Sequence, residues 1–323
     1  MTLRAVVRGV GHYLPDRIVP NSEFETLIDT SDEWIRSRSG IERRHFAAER
    51  QGTSDLATRA ARAALADAGL QAADIDALIV ATSTPDMTFP SVATMVQANL
   101  AMTGGFAFDI QAVCAGFVFA LANADALIRA GLARRVLVIG AETFSRLMDW
   151  TDRSTCVLFG DGAGAVVVEA SIGDGTALDR GILACDLHSD GRHREALYVD
   201  GGTLTGHTGH LRMQGREVFR HAVEKLAETA DAALAKAGVT ADQLDWIVPH
   251  QANIRIIDAT ARKLGVAMER VVVTVQDHGN TSAASIPLAL SVGVARGQIE
   301  RGDLILTEGI GGGLAWGSVV LRW

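Results

Sequence analysis

Three side chains carry the chemistry legible in this chain. Cys114 lies in DIQAVCAGFVFAL, where a strand-like run gives way to an apolar helix. A helix N-terminus offers unpaired N–H groups and the positive end of the dipole, which stabilise a thiolate and lower a thiol's pKa. The bland alternative is a small, buried, inert cysteine. Cys156, in STCVLF, and Cys185 fit that alternative well; Cys114 fits it less well. His250 lies in DWIVPHQANIRIID, directly after a strand and before a helix with Ile254, Ile257, Ala261 and Leu264 on one face. Loops at strand-to-helix junctions are where α/β proteins place reactive groups. Asn280 lies in HGNTSAAS, at the start of a second apolar helix. Cysteine, histidine and asparagine together permit two chemistries. In one, histidine activates a thiol for hydrolysis and asparagine orients the ring. In the other, the thiol carries an acyl group while histidine and asparagine donate hydrogen bonds to a thioester carbonyl. Residue types alone leave both open.

These residues need a scaffold that brings them together, and an internal echo supplies one. Residues 63–80 read AALADAGLQAADIDALIV and residues 232–249 read AALAKAGVTADQLDWIVP, with eight of 18 positions identical at an offset of 169. Each copy is an Ala/Leu-rich helix ending at glycine, a short connector with Asp, then an apolar strand. Downstream, each copy continues into an apolar helix and a strand: Cys114–Arg129 with Val136–Ile139, and Ser285–Ala295 with Leu304–Leu306. The first of these helices has no charge before Asp125, which predicts burial between layers. The echo predicts an α/β protein of two similar halves, residues 1–172 and 173–323, related by a pseudo-twofold. At the offset of 169, Cys114 aligns with Ala283 and Gln111 with Asn280. Cys114 and Asn280 therefore stand at equivalent helix starts and His250 at a strand end, so a twofold packing makes all three converge.

Other functions are disfavoured. GDGAG at 160–164 leads into a strand, and GIGGG at 309–313 is followed by the strand-like GSVVLRW; neither opens a helix as a phosphate loop must. Tight turns or close backbone approach to a ligand explain these glycines better. The nine histidines, His207 and His210 among them, show no zinc-finger spacing with cysteine, and no metal is expected. A net charge of −8 argues against nucleic acid as a partner. The uncharged apolar stretch of note, Ile110–Ala124, is too short to span a bilayer. With three cysteines and no signal-peptide pattern, the chain reads as cytoplasmic.

The motifs resemble those of the β-ketoacyl-acyl carrier protein synthase III family, thiolase-fold condensing enzymes. The resemblance spans nearly the whole chain: GHYLPDRIVPN (11–21), DTSDEWIRSRSGIERRH (29–45), FPS (89–91), AVCAGF (112–117), DRSTCVLFGDGAG (152–164), VPHQANIRI (248–256), HGNTSAAS (278–285) and GGGLAWGS (311–318). It implies two βαβαβ-type halves in αβαβα layers. It implies that Cys114 takes an acyl group from an acyl-CoA primer, most simply acetyl-CoA. Malonyl-acyl carrier protein then loses carbon dioxide and attacks, giving a 3-oxoacyl-acyl carrier protein that initiates fatty-acid synthesis. His250 and Asn280 would hold the thioester oxygen during decarboxylation, and the backbone N–H groups of Cys114 and Gly312 would form an oxyanion hole. Longer-chain relatives carry a second histidine at the Asn280 position, so asparagine favours the initiating class.

The resemblance also implies how the substrates bind. Trp34 and Arg153 would sandwich the adenine of CoA, Arg38 and Arg255 would meet its phosphates, and Asn253 its pantetheine arm. Phe159 and Ile310 would line the acyl pocket, with Phe89 reaching in across a homodimer. Arg220, Arg255, Arg262 and Lys263, with Arg216 nearby, would form a basic rim for the acidic carrier protein. No cofactor beyond the CoA thioester substrate is implied. The run EGIGGG departs from the family's EAFGGG-like pattern, and Ile310 in place of an aromatic residue reshapes the pocket and bears on primer choice. Enzymes that prime secondary metabolites share every motif, and a thioester hydrolase or a silent carrier-binding module are the remaining alternatives.

Overall fold

The computed structural model describes residues 1–323. Nine strands build two sheets. They are β1 (Thr2–Tyr13), β2 (Ala77–Ala81), β3 (Phe106–Ile110), β4 (Arg135–Thr143), β5 (Asp161–Gly173), β6 (Gly181–Ser189), β7 (Trp246–Pro249), β8 (Leu304–Gly311) and β9 (Ala315–Arg322). The first sheet has the order β1-β5-β4-β2-β3 and the second β7-β8-β9-β6. In the first, β2 runs parallel to β3 and β4, while β5 is antiparallel to β4 and β1. In the second, β7 is parallel to β8, and β9 is antiparallel to both β8 and β6. The two sheets share one pattern, as the echo predicts.

Strand alternation decides the layers. In β2 and β4, Ala77, Ile79, Val136 and Val138 point into one core while Leu78, Val80, Leu137 and Ile139 point into another. Side chains on a strand alternate between faces, so strands apolar on both faces must be covered twice. The outer face meets α2 (Thr53–Ala68) through Leu56 and Ala60. The inner face meets α3 (Gly116–Arg129) through Phe117 and Leu121, together with Ile286 and Ala289 of α6 (Ser285–Ala295). Ile305, Val319 and Leu321 of the second sheet close that core from the other side. Leu304, Leu306 and Val320 face outward against Leu234 of α4 (Gly215–Ala237) and Ile257 of α5 (Ile254–Lys263). The result is αβαβα, with α3 and α6 in the middle layer.

The repeat is kept at single-residue level. α2 and α4 both end at a left-handed glycine, Gly69 with φ 67° and Gly238 with φ 71°. Each middle-layer helix is preceded by a 3-10 turn, Val113–Ala115 or Ser282–Ala284. Val113 and Ser282 enter those turns with φ 49° and 48°, a region costly for side chains with a Cβ. The same strained entry at both helix starts marks positions that the surrounding structure over-determines.

The second half lacks an equivalent of β3. There, Val271 makes a single parallel bridge to Ile247 and the chain turns into a short helix, Val275–His278. Gln251 replaces the missing ladder. Its side-chain Oε1 accepts from the N–H groups of Thr274 and Val275, and its Nε2 donates to the carbonyls of Pro249 and Val272. The departure lies between His250 and Asn280 and frees the HGN loop to turn inward. Several elements run longer than the sequence suggests: β4 reaches Thr143, and β8 runs through Gly311, so Gly309–Gly311 are strand residues.

Candidate active site

The turn that holds Cys114 is wedged against the end of β8. A Cβ on Gly311 would fall 2.5 Å from the Cys114 nitrogen, and one on Gly309 would fall 2.9 Å from the Cys114 carbonyl oxygen. Only glycine permits that approach. These two residues of the GIGGG run thus set the height of Cys114. Gly312 stands one step farther along, where a Cβ would meet the Leu197 carbonyl at 2.7 Å.

His250 follows β7 and is held at its backbone and at its ring. Its N–H donates to the Glu308 carbonyl at 2.8 Å, and its ring Nδ1 lies 2.6 Å from Ser285 Oγ. The Gln251 N–H also donates to Ser285 Oγ, at 3.3 Å. Nδ1 is the one acceptor the Ser285 hydroxyl meets, so the hydroxyl proton is assigned to that bond and the ring proton to Nε2. Burial pushes the His250 imidazole down to about 3, so it is neutral across the physiological range.

Asn280 is fixed by both backbone and side chain. Its N–H donates to the Leu158 carbonyl at 2.9 Å and its carbonyl accepts from Gly160 at 3.0 Å, making a parallel bridge with Phe159. Its Oδ1 accepts from the Ser282 N–H at 2.9 Å. The amide is therefore oriented with Nδ2, a donor, as its free end.

One cavity of about 650 Å³ joins these groups, with Cys114, His250 and Asn280 all in its wall. All three are buried, whereas the cavity's Arg38, Arg216 and Arg255 are exposed. The site is an inner chamber with a basic entrance. Helix α1 (Asp32–Ser39), N-capped by Ser31, puts Trp34 and Arg38 on one face of that entrance. Asn253 caps α5 through its side chain and also lines the cavity, as does Arg255 two residues on. Arg153 is not in the wall. Its guanidinium lies 5.0 Å from the Trp34 ring, and its Nη1 donates to the Asp29 carbonyl at 2.6 Å. A base entering between Trp34 and Arg153 must move the arginine outward.

Phe159 and Ile310 line the chamber, while Phe89 is 80% exposed and contributes nothing to the cavity within one chain. Arg220, Arg262 and Lys263 are exposed and outside the cavity wall. Arg262 is partly neutralised by Asp258, one turn back, at 2.6 Å.

One expectation is corrected. A helix start was expected to lower the Cys114 pKa, but the thiol is 4% exposed and burial pushes it up to about 12. Desolvation of a charged sulfur outweighs the Ser282 hydroxyl, which acts in the opposite direction. Cys156 and Cys185 are also pushed up by burial, in keeping with inert thiols.

Residue-by-residue reasoning missed Gln251, Ser285 and Glu308, which orient His250. Their only signal was position, because Gln251 and Ser285 fall inside the motifs VPHQANIRI and HGNTSAAS. Glu142, fully buried beneath the site, accepts from Thr84 Oγ1 at 2.6 Å and from the Ser83 N–H at 3.1 Å. A second depression, about 660 Å³ and lined by Tyr13, Arg50, Arg59 and Arg62, contains no nucleophile.

A cysteine at a helix start shares one chamber with a neutral histidine and an oriented asparagine, between two halves of one repeated unit, and this arrangement fits a condensing enzyme of the thiolase fold. Residues 108–191 match the profile of 3-oxoacyl-[acyl-carrier-protein (ACP)] synthase III, and residues 234–323 match that of its C-terminal part. Beta-ketoacyl-[acyl-carrier-protein] synthase III of Cereibacter sphaeroides (strain ATCC 17025 / ATH 2.4.3) is 79% identical over 323 residues, covering 100% of both chains. The protein of that name from Roseobacter denitrificans is 76% identical, again over 100% of both. The crystal structure of 3-oxoacyl-[acyl-carrier-protein] synthase III from Aquifex aeolicus VF5 superposes with a TM-score of 0.93 at 47% identity, covering 99% of this chain and 100% of that one. The chain belongs to the 3-oxoacyl-[acyl-carrier-protein] synthase III family. It is a condensing acyltransferase of fatty-acid biosynthesis that takes a CoA thioester as substrate and uses no separate cofactor. The hydrolase reading is thereby set aside. No helix is long and apolar enough to cross a membrane.

Proposed function

We propose that this enzyme transfers an acetyl group from acetyl-CoA to Cys114 and condenses it with malonyl-acyl carrier protein. In the first half-reaction the Cys114 thiol loses its proton as Sγ attacks the thioester carbonyl, and CoA leaves as the thiol. Because the resting thiol is neutral, thiolate forms only as the acyl-CoA enters, with the unpaired N–H groups of the helix start to receive the charge. In the second, the malonyl carboxylate leaves as carbon dioxide and its electron pair passes to C2, with negative charge on the thioester oxygen. His250 Nε2–H and Asn280 Nδ2–H are two neutral donors for that oxygen. The C2 carbanion attacks the acetyl-Cys114 carbonyl, and Sγ departs with the 3-oxoacyl product on the carrier protein. The N–H groups of Cys114 and Gly312 are assigned to the oxygen of that tetrahedral intermediate. The observation that carries this reading is the shared chamber of Cys114, His250 and Asn280.

Trp34, Arg38, Arg153, Asn253 and Arg255 are assigned to CoA, and Phe159 and Ile310 to the acyl end. The carrier protein is assigned to the rim of Arg220, Arg255, Arg262 and Lys263, whose exposure suits an acidic partner. Exposed Phe89 is assigned to the chamber of a second copy, making the working unit a homodimer. The halves divide at residues 172/173, and the enzyme works in the cytoplasm. Supplying acetyl-, butyryl- and branched acyl-CoA with malonyl-acyl carrier protein tests the primer: acetyl-CoA is expected to give the fastest turnover. Indifference to acetyl-CoA with rapid use of another primer would point to an enzyme of secondary metabolism.

A further inference from the structure

Outside the chamber, three metal-ligating side chains converge. His193 comes from the 3-10 turn Gly191–Ala196, and Glu217 and His221 from the first turns of α4. Their ligand atoms all lie within 4.8 Å of one another. Glu217 Oε1 is central, 3.6 Å from His193 Nδ1 and 3.7 Å from His221 Nε2. Four ligands held tetrahedrally at a Zn–N or Zn–O distance of about 2.0–2.1 Å stand about 3.3–3.4 Å apart. The two contacts to Glu217 are thus within a few tenths of an ångström of a metal-binding edge. Two imidazoles and one carboxylate suit Zn²⁺ and not Mg²⁺ or Ca²⁺, which prefer all-oxygen sets.

One neighbour supports such a site and one competes with it. Asp190 Oδ2 lies 3.7 Å from His193 Nε2, and Arg220 Nη2 lies 3.4 Å from His221 Nε2. Arg220 is exposed and free to turn to solvent, which vacates the Nε2 lone pair. The His193 and Glu217 side chains are 29% and 33% exposed, leaving water access for a fourth ligand, while His221 is 9% exposed, its Nδ1 without a hydrogen-bond partner.

The position gives such a site a role. Asp190 exchanges backbone hydrogen bonds with Leu314, directly after the glycine run. Leu197, just past the His193 turn, is in the chamber wall, and so are Phe219 and Ala222 of α4. We propose that His193, Glu217 and His221 bind one Zn²⁺ ion that clamps the 190–197 strap to α4 and so braces two walls of the substrate chamber. The site lies apart from Cys114, and the proposal does not depend on the reaction assigned above.

Calorimetric titration with Zn²⁺ tests it, in full-length protein carrying Cys114→Ala so that the active-site thiol does not compete. One equivalent of Zn²⁺ is expected to bind, with no heat from Mg²⁺. His193→Gln and Glu217→Gln are each expected to weaken binding at least about tenfold, since even an outer-sphere partner is worth that much. In the wild-type chain Zn²⁺ is expected to raise the melting temperature, and in His193→Gln to leave it unchanged. His193 lies on an exposed turn, so that variant keeps the fold, which acetyl-adduct formation on an otherwise wild-type chain verifies. Absence of Zn²⁺ binding, or binding undiminished in both variants, would overturn the proposal.

Discussion

Cys114 is subject to two opposing influences, the helix start that favours thiolate and the burial that forbids it. In the substrate-free protein burial wins, holding the thiol up at about 12. The thiolate fraction then rises about tenfold per pH unit throughout the range where the protein is stable. Alkylation of Cys114 by iodoacetamide is expected to accelerate up to pH 9 without levelling, whereas a plateau near pH 7 would show that the helix start dominates. That Cys114, His250 and Asn280 share one chamber was legible because the cysteine and the asparagine stood at equivalent helix starts and the histidine at a strand end. The protonation state of Cys114 was not, because desolvation depends on the β8 glycines and on walls contributed from 200 residues away in sequence. The orientation of His250 was hidden for a similar reason: Ser285, 35 residues distant, decides which ring nitrogen carries the proton.

At the level of elements, close contact between backbones sets the site's geometry. A Cβ on Gly140 of β4 would lie 2.2 Å from the Ala283 carbonyl oxygen, in the turn that follows Asn280. Gly140→Ala must therefore push that turn away from the first sheet. Overpacking of this kind costs about 1–3 kcal/mol, and a small shift of Asn280 costs more in rate than in stability. The expected outcome is a modest drop in urea midpoint with condensation reduced at least about 100-fold; unchanged condensation would show that the turn is compliant. The helices and strands around this contact were readable from periodicity and the repeat offset of 169. The missing fifth strand of the second sheet was not, since the echo carries no sign that Val271 makes only a single bridge. A single side chain, Gln251, takes the backbone hydrogen bonds that a ladder would have made.

Across the whole molecule, burying two acids and two histidines near the chamber makes stability depend on pH in a defined way. Burial raises Glu142 to about 7 and Glu308 to about 8. Between their unfolded value of 4.5 and those values the folded chain holds more protons, so stability is lost as pH rises through that window. His250 and His278 are pushed down to about 3 and about 4, so the unfolded chain holds more protons below 6.5 and stability is lost as pH falls. The two effects oppose each other between 4.5 and 6.5, and above 6.5 only the acids act. Urea midpoints are expected to fall from pH 6.5 to 8.5 in the wild-type chain and to fall less in Glu308→Gln. An equal fall in both would mean that Glu308 is not held neutral. The duplicated architecture was legible from one echo of 18 residues, but these buried acids were not, because nothing local in TEGIG marks Glu308 as fully enclosed.

The central claim is that His250 and Asn280 act in decarboxylation while Cys114 alone carries the acyl group. Single-turnover discharge of pre-formed acetyl-Cys114 by malonyl-acyl carrier protein, followed by intact-protein mass, tests it most directly. His250→Ala and Asn280→Ala are each expected to form the acetyl adduct and then to discharge it about 10²–10³-fold more slowly than wild type. Discharge at the wild-type rate in both variants, or release of the acetyl group as free acetate by the wild-type enzyme, would contradict the account.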